Sequence, residues 1–224
     1  MRLDEAIPLL RRFVFVPFGQ ILTPAELADL KTDKGIVGKL LEKAVGLSAT
    51  NVTLDFDDGE LKTNKCRADG APRETIFITQ ISGTIDSILD EQPFEQSILC
   101  LKTRHMLIVP VVKEGATRDW RFLPFLHVDL RAAEFAEVAQ QIRSDYYSIA
   151  RQLRAHIEHG PDGHIHTSNG LYIQVRSKDG RPYHPIFSHR YGRFVSTKNY
   201  AFYFRKEFMR YLQARSPGYP LRLR

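Results

Sequence analysis

Asp55, Glu60 and Lys62 are the residues of this chain whose types and spacing could do chemistry. In Asp55-Phe-Asp-Asp-Gly-Glu60-Leu-Lys62 an acid is followed, after a short gap, by Glu-x-Lys. Side chains alternate faces along a strand, so Glu60 and Lys62 project together while Leu61 turns the other way and can anchor in a core. An aspartate arriving from the preceding segment completes a group of two carboxylates and one ammonium. Carboxylate oxygens suit a hard divalent cation such as Mg²⁺. The ammonium can orient a water or stabilise charge on a phosphate, and the set as a whole suits metal-assisted phosphodiester hydrolysis. Taken alone, the pattern also describes an exposed strand of alternating charge, because charge runs usually face solvent.

The elements that must position these groups are legible in outline. Thr23-Pro-Ala-Glu26 has the form of an N-cap, a first-turn proline and a capping-box acid, which predicts a short helix to about Leu30. Apolar residues at Ile36, Val37, Leu40, Leu41, Ala44 and Val45 predict a second helix over Ile36–Leu47. Glu42 lies in it, either as a solvated helix acid or as a further carboxylate turned toward the Asp55–Glu60–Lys62 group. Strand-like stretches follow at Val52–Phe56, Glu60–Thr63, Thr75–Ile81 and Met106–Val112. RADGAP at 67–72 is a turn, so the second and third of these read as a hairpin or meander. Residues 131–159 keep a three-to-four spacing of apolar side chains from Phe135 to Ile157, and Gly160-Pro161-Asp-Gly163 stops that helix. Leu171–Val175 reads as a strand, Gly192–Phe204 as another strand or a hairpin, and Phe204–Leu212 as a last helix. Strands with helices before and after them define a mixed α/β class.

Composition narrows the partners. The chain has 224 residues, 43% of them hydrophobic, which suffices for a substantial core. It contains no long apolar run of membrane-spanning type, and MRLDEAIPLLRRFVFVPFG is not patterned as a signal peptide. Two cysteines, Cys66 and Cys100, do not form a disulfide framework and point to a reducing cytoplasm. The net charge of +6 is unevenly distributed. Residues 171–224 carry 12 Lys/Arg against Asp179 and Glu207, a net +10, leaving −4 for the remainder. This basic quarter is also rich in Tyr and Phe, unlike a solvated tail, so it reads as a folded polyanion-binding face, with nucleic acid favoured over a membrane. His156, His159, His164 and His166 are close enough in sequence to consider zinc, but a helix end and a polar loop account for them without a cysteine nearby.

The ordered blocks DKGxxGxLLE, DF…GELKT, RETIFI, KxRxxLxxPV, YIQVRxK and AFYFRKEF, running from about Thr23 to Leu212, resemble the MutH family. That family comprises methyl-directed mismatch-repair endonucleases that cut at GATC and related type II restriction enzymes of the same specificity. The resemblance implies a restriction-endonuclease-like α/β fold, with a mixed central sheet flanked by helices and two lobes forming a DNA cleft. It implies a single domain over 1–224, with a catalytic lobe at about 20–130 and a basic DNA-reading lobe at about 131–224. By position, Asp55, Glu60 and Lys62 resemble the catalytic acid, acid and lysine, with Asp55 and Glu60 holding Mg²⁺. Glu42 falls on the additional helix acid, and Lys102 on a lysine just before a core strand, where it implies a scissile-phosphate or active-site contact. Lys34, Arg176, Lys178 and Arg205 fall on DNA-facing basic positions, and Tyr203 on a tyrosine beside the adenine where methylation is sensed. The chain departs from the pattern in a shorter Asp55-to-Glu60 gap, in Ala201 where a glycine is expected, and in 181–198, a His-, Tyr- and Arg-rich stretch that does not align.

The implied function is Mg²⁺-dependent, sequence-specific cleavage of double-stranded DNA by a cytoplasmic monomer. A MutL-like activator would accompany a repair role; a cognate methyltransferase as genetic neighbour would accompany restriction. The alternative class is a catalytically silent, methylation-sensing DNA-binding protein built on the same basic lobe and Tyr203.

Overall fold

The structure is a computed structural model, and it describes residues 1–30, 35–47, 53–216 and 219. Lys34, and the first residue of the strand expected at Val52–Phe56, lie outside the described residues.

Helix α1 (Leu3–Arg11) carries Asp4 and Glu5 in its first turn and Arg11 in its last, in keeping with the helix dipole. α2 (Pro24–Asp29) starts at Thr23, whose Oγ1 accepts from Glu26 N at 3.3 Å while the Glu26 carboxylate accepts from Thr23 N at 2.9 Å. This is the reciprocal cap that the sequence predicts. α3 (Ile36–Ala44) is closed by Gly46 at φ +81°, a left-handed turn that glycine adopts without steric cost. Asp55–Asp58 follow as bends rather than the expected strand. Aspartates beside Gly59 favour turns, and Phe56 N donates to the Gly59 carbonyl at 2.9 Å.

The strand β1 (Glu60–Cys66) comes next, then β2 (Ile76–Gln80), α4 (Ile85–Leu89), α5 (Ile98–Thr103) and β3 (His105–Val112). β4 (Arg121–Phe122) and β5 (Leu126–Asp129) precede the long helix α6 (Ala136–His159). The chain ends with β6 (Ser168–Asn169), β7 (Ile173–Ser177), β8 (Ile186–Ser188), β9 (Arg193–Ser196), β10 (Tyr200–Phe204) and α7 (Lys206–Arg215). The class is mixed α/β. The turn at 67–72 forms, with Arg67 N bonded to the Ala71 carbonyl at 2.9 Å and Arg73 N to the Lys65 carbonyl at 2.8 Å. β1 and β2 nevertheless do not pair, because the chain leaves the turn for a different sheet. The stretch Gly192–Phe204 likewise splits, β9 pairing with β8 and β10 with β2 and β7.

Two compact units result, each from discontinuous stretches. The first comprises Met1–Thr75, Arg104–Asp129 and Met209–Arg224. Its sheet has β1 at an edge, parallel to β3, with β4 and β5 antiparallel to β3. β3 is buried along its whole length, as its near-continuous apolar run requires. The core includes Leu3, Leu10, Val37, Leu41, Leu61, Leu107 and Val109.

The second unit comprises Ile76–Thr103 and Leu130–Phe208. Its sheet runs β2-β10-β7-β6, entirely antiparallel among these pairs. Phe202, on the inner face of β10, meets Tyr146 of α6 at 6.4 Å between ring centroids. Asp145, one residue earlier on α6, is 3% exposed and receives Leu171 N at 2.8 Å, Tyr172 N at 2.6 Å, Ile173 N at 2.9 Å and Gln141 Nε2 at 2.8 Å. A Cβ on Gly170 would come within 2.3 Å of that carboxyl carbon, so only glycine fits there.

Replacing Asp145 by alanine strands three backbone N–H groups where β7 begins. The expected loss is about 3–5 kcal/mol of unfolding free energy, read from urea denaturation. A loss under about 0.5 kcal/mol, the range of an ordinary surface change, would disprove the anchoring role.

Candidate active site

β1 begins at Glu60, and its parallel register pairs Glu60 with Met106 and Lys62 with Ile108. The alternation read from the sequence holds. Leu61 is buried in the core of the first unit, while Glu60 and Lys62 share the other face. Glu60 is 0% exposed and its carboxylate is in direct contact with Lys62 Nζ. Asp55 arrives from the bend before the strand. Its Oδ2 accepts from Leu61 N at 2.8 Å and lies 3.6 Å from Lys62 Nζ. Lys62, itself 14% exposed on its side chain, therefore stands between two carboxylates.

Glu42 joins them from α3. Burial pushes its carboxyl above the usual range, Asp55 pushes it further, and Lys62 and Lys39 oppose the shift. The approach of α3 to β1 is close at Gly38, where a Cβ would sit 3.9 Å from Glu42 Oε1 and 4.0 Å from Thr63 Oγ1. Asp55, Glu60 and Lys62 are thus brought together within the first unit, and Glu42 lies within electrostatic reach of Asp55 and Lys62. Lys102 lies near the end of α5 in the second unit, half-buried. Lys34 is outside the described residues.

Asn64 continues the same face of β1 and was missed by sequence reasoning, although the i, i+2, i+4 alternation from Glu60 already signals it. It is fully buried, its Nδ2 donates to the Glu74 carbonyl at 3.1 Å, and its Oδ1 has no hydrogen-bond partner among the described residues.

A second set of predicted residues gathers on one face of the second unit's sheet. Arg176 pairs with Ala201 in the β7–β10 register, and Tyr203 pairs with Phe77 in the β10–β2 register. The Arg176 guanidinium lies 5.5 Å from the Tyr203 ring centroid, and Lys178 Nζ lies 3.2 Å from that of Phe77. The Phe77 and Tyr203 rings meet edge-on at 5.7 Å. Burial pushes the Tyr203 hydroxyl up, against a lowering by Arg176. Phe77 was missed because alternation in Thr75–Ile81 places it outward without saying which strand lies beside it. Arg205 is placed elsewhere: its guanidinium contacts the Gly170 carbonyl and lies 3.4 Å from Glu207, and its backbone N donates to the Tyr172 carbonyl at 2.8 Å.

Asp179, next to Lys178, accepts from His184 N at 2.5 Å, from Asn199 N at 2.9 Å and from the His184 ring at 2.8 Å, and these hydrogen bonds hold its carboxyl far below the usual range. Of the histidines weighed for zinc, His164 and His166 bond to Asp162 and His166 N donates to His156 Nδ1 at 3.2 Å, a loop closure rather than a ligand set. Among the described residues no helix is long and apolar enough to cross a membrane.

A parallel-paired strand in a mixed α/β chain thus presents an acid–lysine pair beside a further carboxylate. Curated relatives can be set beside this geometry. DNA mismatch repair protein MutH from Haemophilus influenzae strain 86-028NP is 28% identical over 218 residues, which is 92% of this chain and 92% of the relative. The protein of the same name from strain PittEE is 29% identical over the same extent. The one from strain PittGG is 35% identical over 83 residues. No family model matches the chain. The chain is similar to these MutH proteins over most of its length, in keeping with the resemblance carried by its sequence blocks.

Because the Glu42 carboxyl is raised, its ionised form is disfavoured in the folded state. Its contribution to stability is present below the ordinary Glu value of about 4.3 and is lost as pH rises through the folded value. Glu42→Gln is expected to raise the melting temperature at pH 7, with the gap to the parent closing as pH falls toward about 4. A gap that does not change with pH would refute the assignment.

Proposed function

We propose that this protein is a DNA endonuclease of the mismatch-repair type, hydrolysing phosphodiester bonds in double-stranded DNA at a GATC-like site. The convergence of Asp55, Glu60 and Lys62 at the start of β1, with Glu42 in electrostatic reach, carries the reading. Homology to MutH proteins across 92% of the chain supports it, and the mixed α/β architecture is compatible with a restriction-endonuclease-like fold.

The donor set fits a hard cation: carboxylate oxygens with no thiol among them. Asp55 and Glu60 would hold Mg²⁺, with Glu42 close by. When bound, the ion supplies charge at the scissile phosphate and acidifies a water. Lys62 acts as the orienting group, since its ammonium already bridges Asp55 and Glu60 and so has few positions open to it. Glu60, shielded from solvent at the foot of a paired strand, keeps the cluster in one geometry. Lys102 takes the phosphate-contacting role that the resemblance implies.

Arg176, Lys178 and Tyr203 form the DNA-reading set, with Phe77 added to it. Cations lying over aromatic rings keep their charge outward while the rings offer flat apolar surface, a combination that suits phosphates and base edges. Tyr203 would sense adenine methylation. A MutL-like protein would be the activating partner.

Plasmids carrying GATC in unmethylated, hemimethylated and fully adenine-methylated form separate the possibilities, incubated with Mg²⁺ and with or without a MutL protein. Nicks at GATC that full methylation blocks are expected. Specific binding without any cleavage would instead identify a silent methylation sensor, and unaided double-strand cutting would identify restriction. Glu60→Ala and Lys62→Ala should lower cleavage by at least about 10³-fold, the scale of losing a principal catalytic group, while DNA affinity stays within a few-fold. Equal loss of binding and cleavage would remove the catalytic assignment. Lys178→Ala should weaken binding on all sequences alike and reduce the slope of log K against log salt by about 1; an unchanged slope would take Lys178 off the DNA.

A further inference from the structure

On the sheet of the first unit, Asp4, His105 and His127 bring one ligand atom each to within 4.8 Å of one another. They come from the first turn of α1, the start of β3 and the middle of β5. His127 pairs with Leu107 in the β3–β5 register, so it is the diagonal neighbour of His105 on one face. Leu107 pairs in turn with Leu61. This is the Leu61 face, opposite to the one that carries Glu60 and Lys62, so the group is separate from the carboxylate site.

The local geometry prepares His105 as a ligand. It is 4% exposed, and its Nδ1 lies 3.2 Å from the Asp58 carbonyl oxygen. A carbonyl can only accept, so Nδ1 carries the proton and Nε2 presents its lone pair. A backbone carbonyl orienting the far nitrogen is the usual support for a metal-binding imidazole. The Nε2 lone pair faces His127 Nε2 at 2.9 Å, and the Asp4 carboxylate stands 4.0 Å from the same His127 nitrogen. In the metal-free protein, a proton on His127 Nε2 bridges the two rings. A metal with bonds of about 2.0–2.1 Å to each nitrogen needs them slightly further apart. His127, 39% exposed on its side chain, can rotate to provide this and keep its proton on Nδ1 instead.

We propose that Asp4, His105 and His127 form a site for a borderline divalent transition metal of the Zn²⁺ type, which clamps α1 to β3 and β5. Two imidazoles and one carboxylate select such ions over Mg²⁺, which takes oxygen donors and keeps much of its water. Three protein ligands leave a position for water. The site is distinct in donor chemistry from the proposed Mg²⁺ site and does not depend on the endonuclease reading.

Cobalt(II) is the probe. The chelator-stripped full chain, titrated with Co²⁺, should develop visible d–d absorption with one equivalent bound, and Zn²⁺ should displace it. Zn²⁺ at 100 times its dissociation constant should raise the melting temperature by about 5–10 °C. Both responses should persist in Glu60→Gln and be lost in His127→Ala, and Asp4→Ala should weaken binding at least about tenfold. His127 and Asp4 are surface residues, so these variants are expected to fold without metal. Absence of the absorption band, or a band kept in His127→Ala and lost in Glu60→Gln, would overturn the proposal.

Discussion

A carboxylate buried to 0% exposure at the first residue of an edge strand is the constraint on which the first unit turns. Lys62, two residues on and on the same face, brings its ammonium into direct contact with that carboxylate. Removing one partner of such a buried pair typically costs about 3–5 kcal/mol, because the other charge is left without compensation. The pair is therefore a poor device for stability and a good one for position. Asp55, bonded to Leu61 N within the same strand, adds a second carboxylate to the same ammonium. The cluster is held by the Asp55–Leu61 N hydrogen bond, parallel strand pairing and Leu61 in the core, and this keeps the three side chains in one arrangement.

Asp145 does comparable work in the second unit. One carboxylate on α6 receives three consecutive backbone N–H groups, from Leu171 to Ile173, and so sets where β7 begins. β7 carries Arg176, with Lys178 just past its end, and they lie over Tyr203 and Phe77 of the neighbouring strands β10 and β2. Each unit thus holds a buried acid with a fixed partner: Glu60 meets the Lys62 side chain on its own face of β1, and Asp145 meets main-chain N–H groups at the start of β7. Arg205 lies in the same basic block as Tyr203, yet its guanidinium is tied to the Gly170 carbonyl and acts as a brace for the segment leading into β7.

Much of the site was legible in the sequence because it depends on short-range rules. A period of two puts Glu60 and Lys62 together, Thr23 and Glu26 cap a helix reciprocally, and a period of 3.6 marks α6. Helices α1, α4 and α5 were not read. α1 has Pro8 within it, and α4 and α5 run for 5 and 6 residues, too few for a period to show. The hairpin expected across the turn at 67–72 failed for a different reason. A turn determines only the few residues it closes, and β1 finds its partner in β3, some forty positions further along the chain.

What the sequence determined by itself was the inventory and its local phase: which acids and lysines share a face, where helices start and stop, and the resemblance to MutH that the ordered blocks carry. Tertiary structure alone decided which faces meet. The raised Glu42 carboxyl, Phe77 beside Tyr203, the separation of β1 from β2 into different sheets and the meeting of Asp4, His105 and His127 all join residues far apart in the chain. Such meetings follow from strand order and register, which are chosen by burying the most apolar surface over the whole unit. No local pattern encodes that choice.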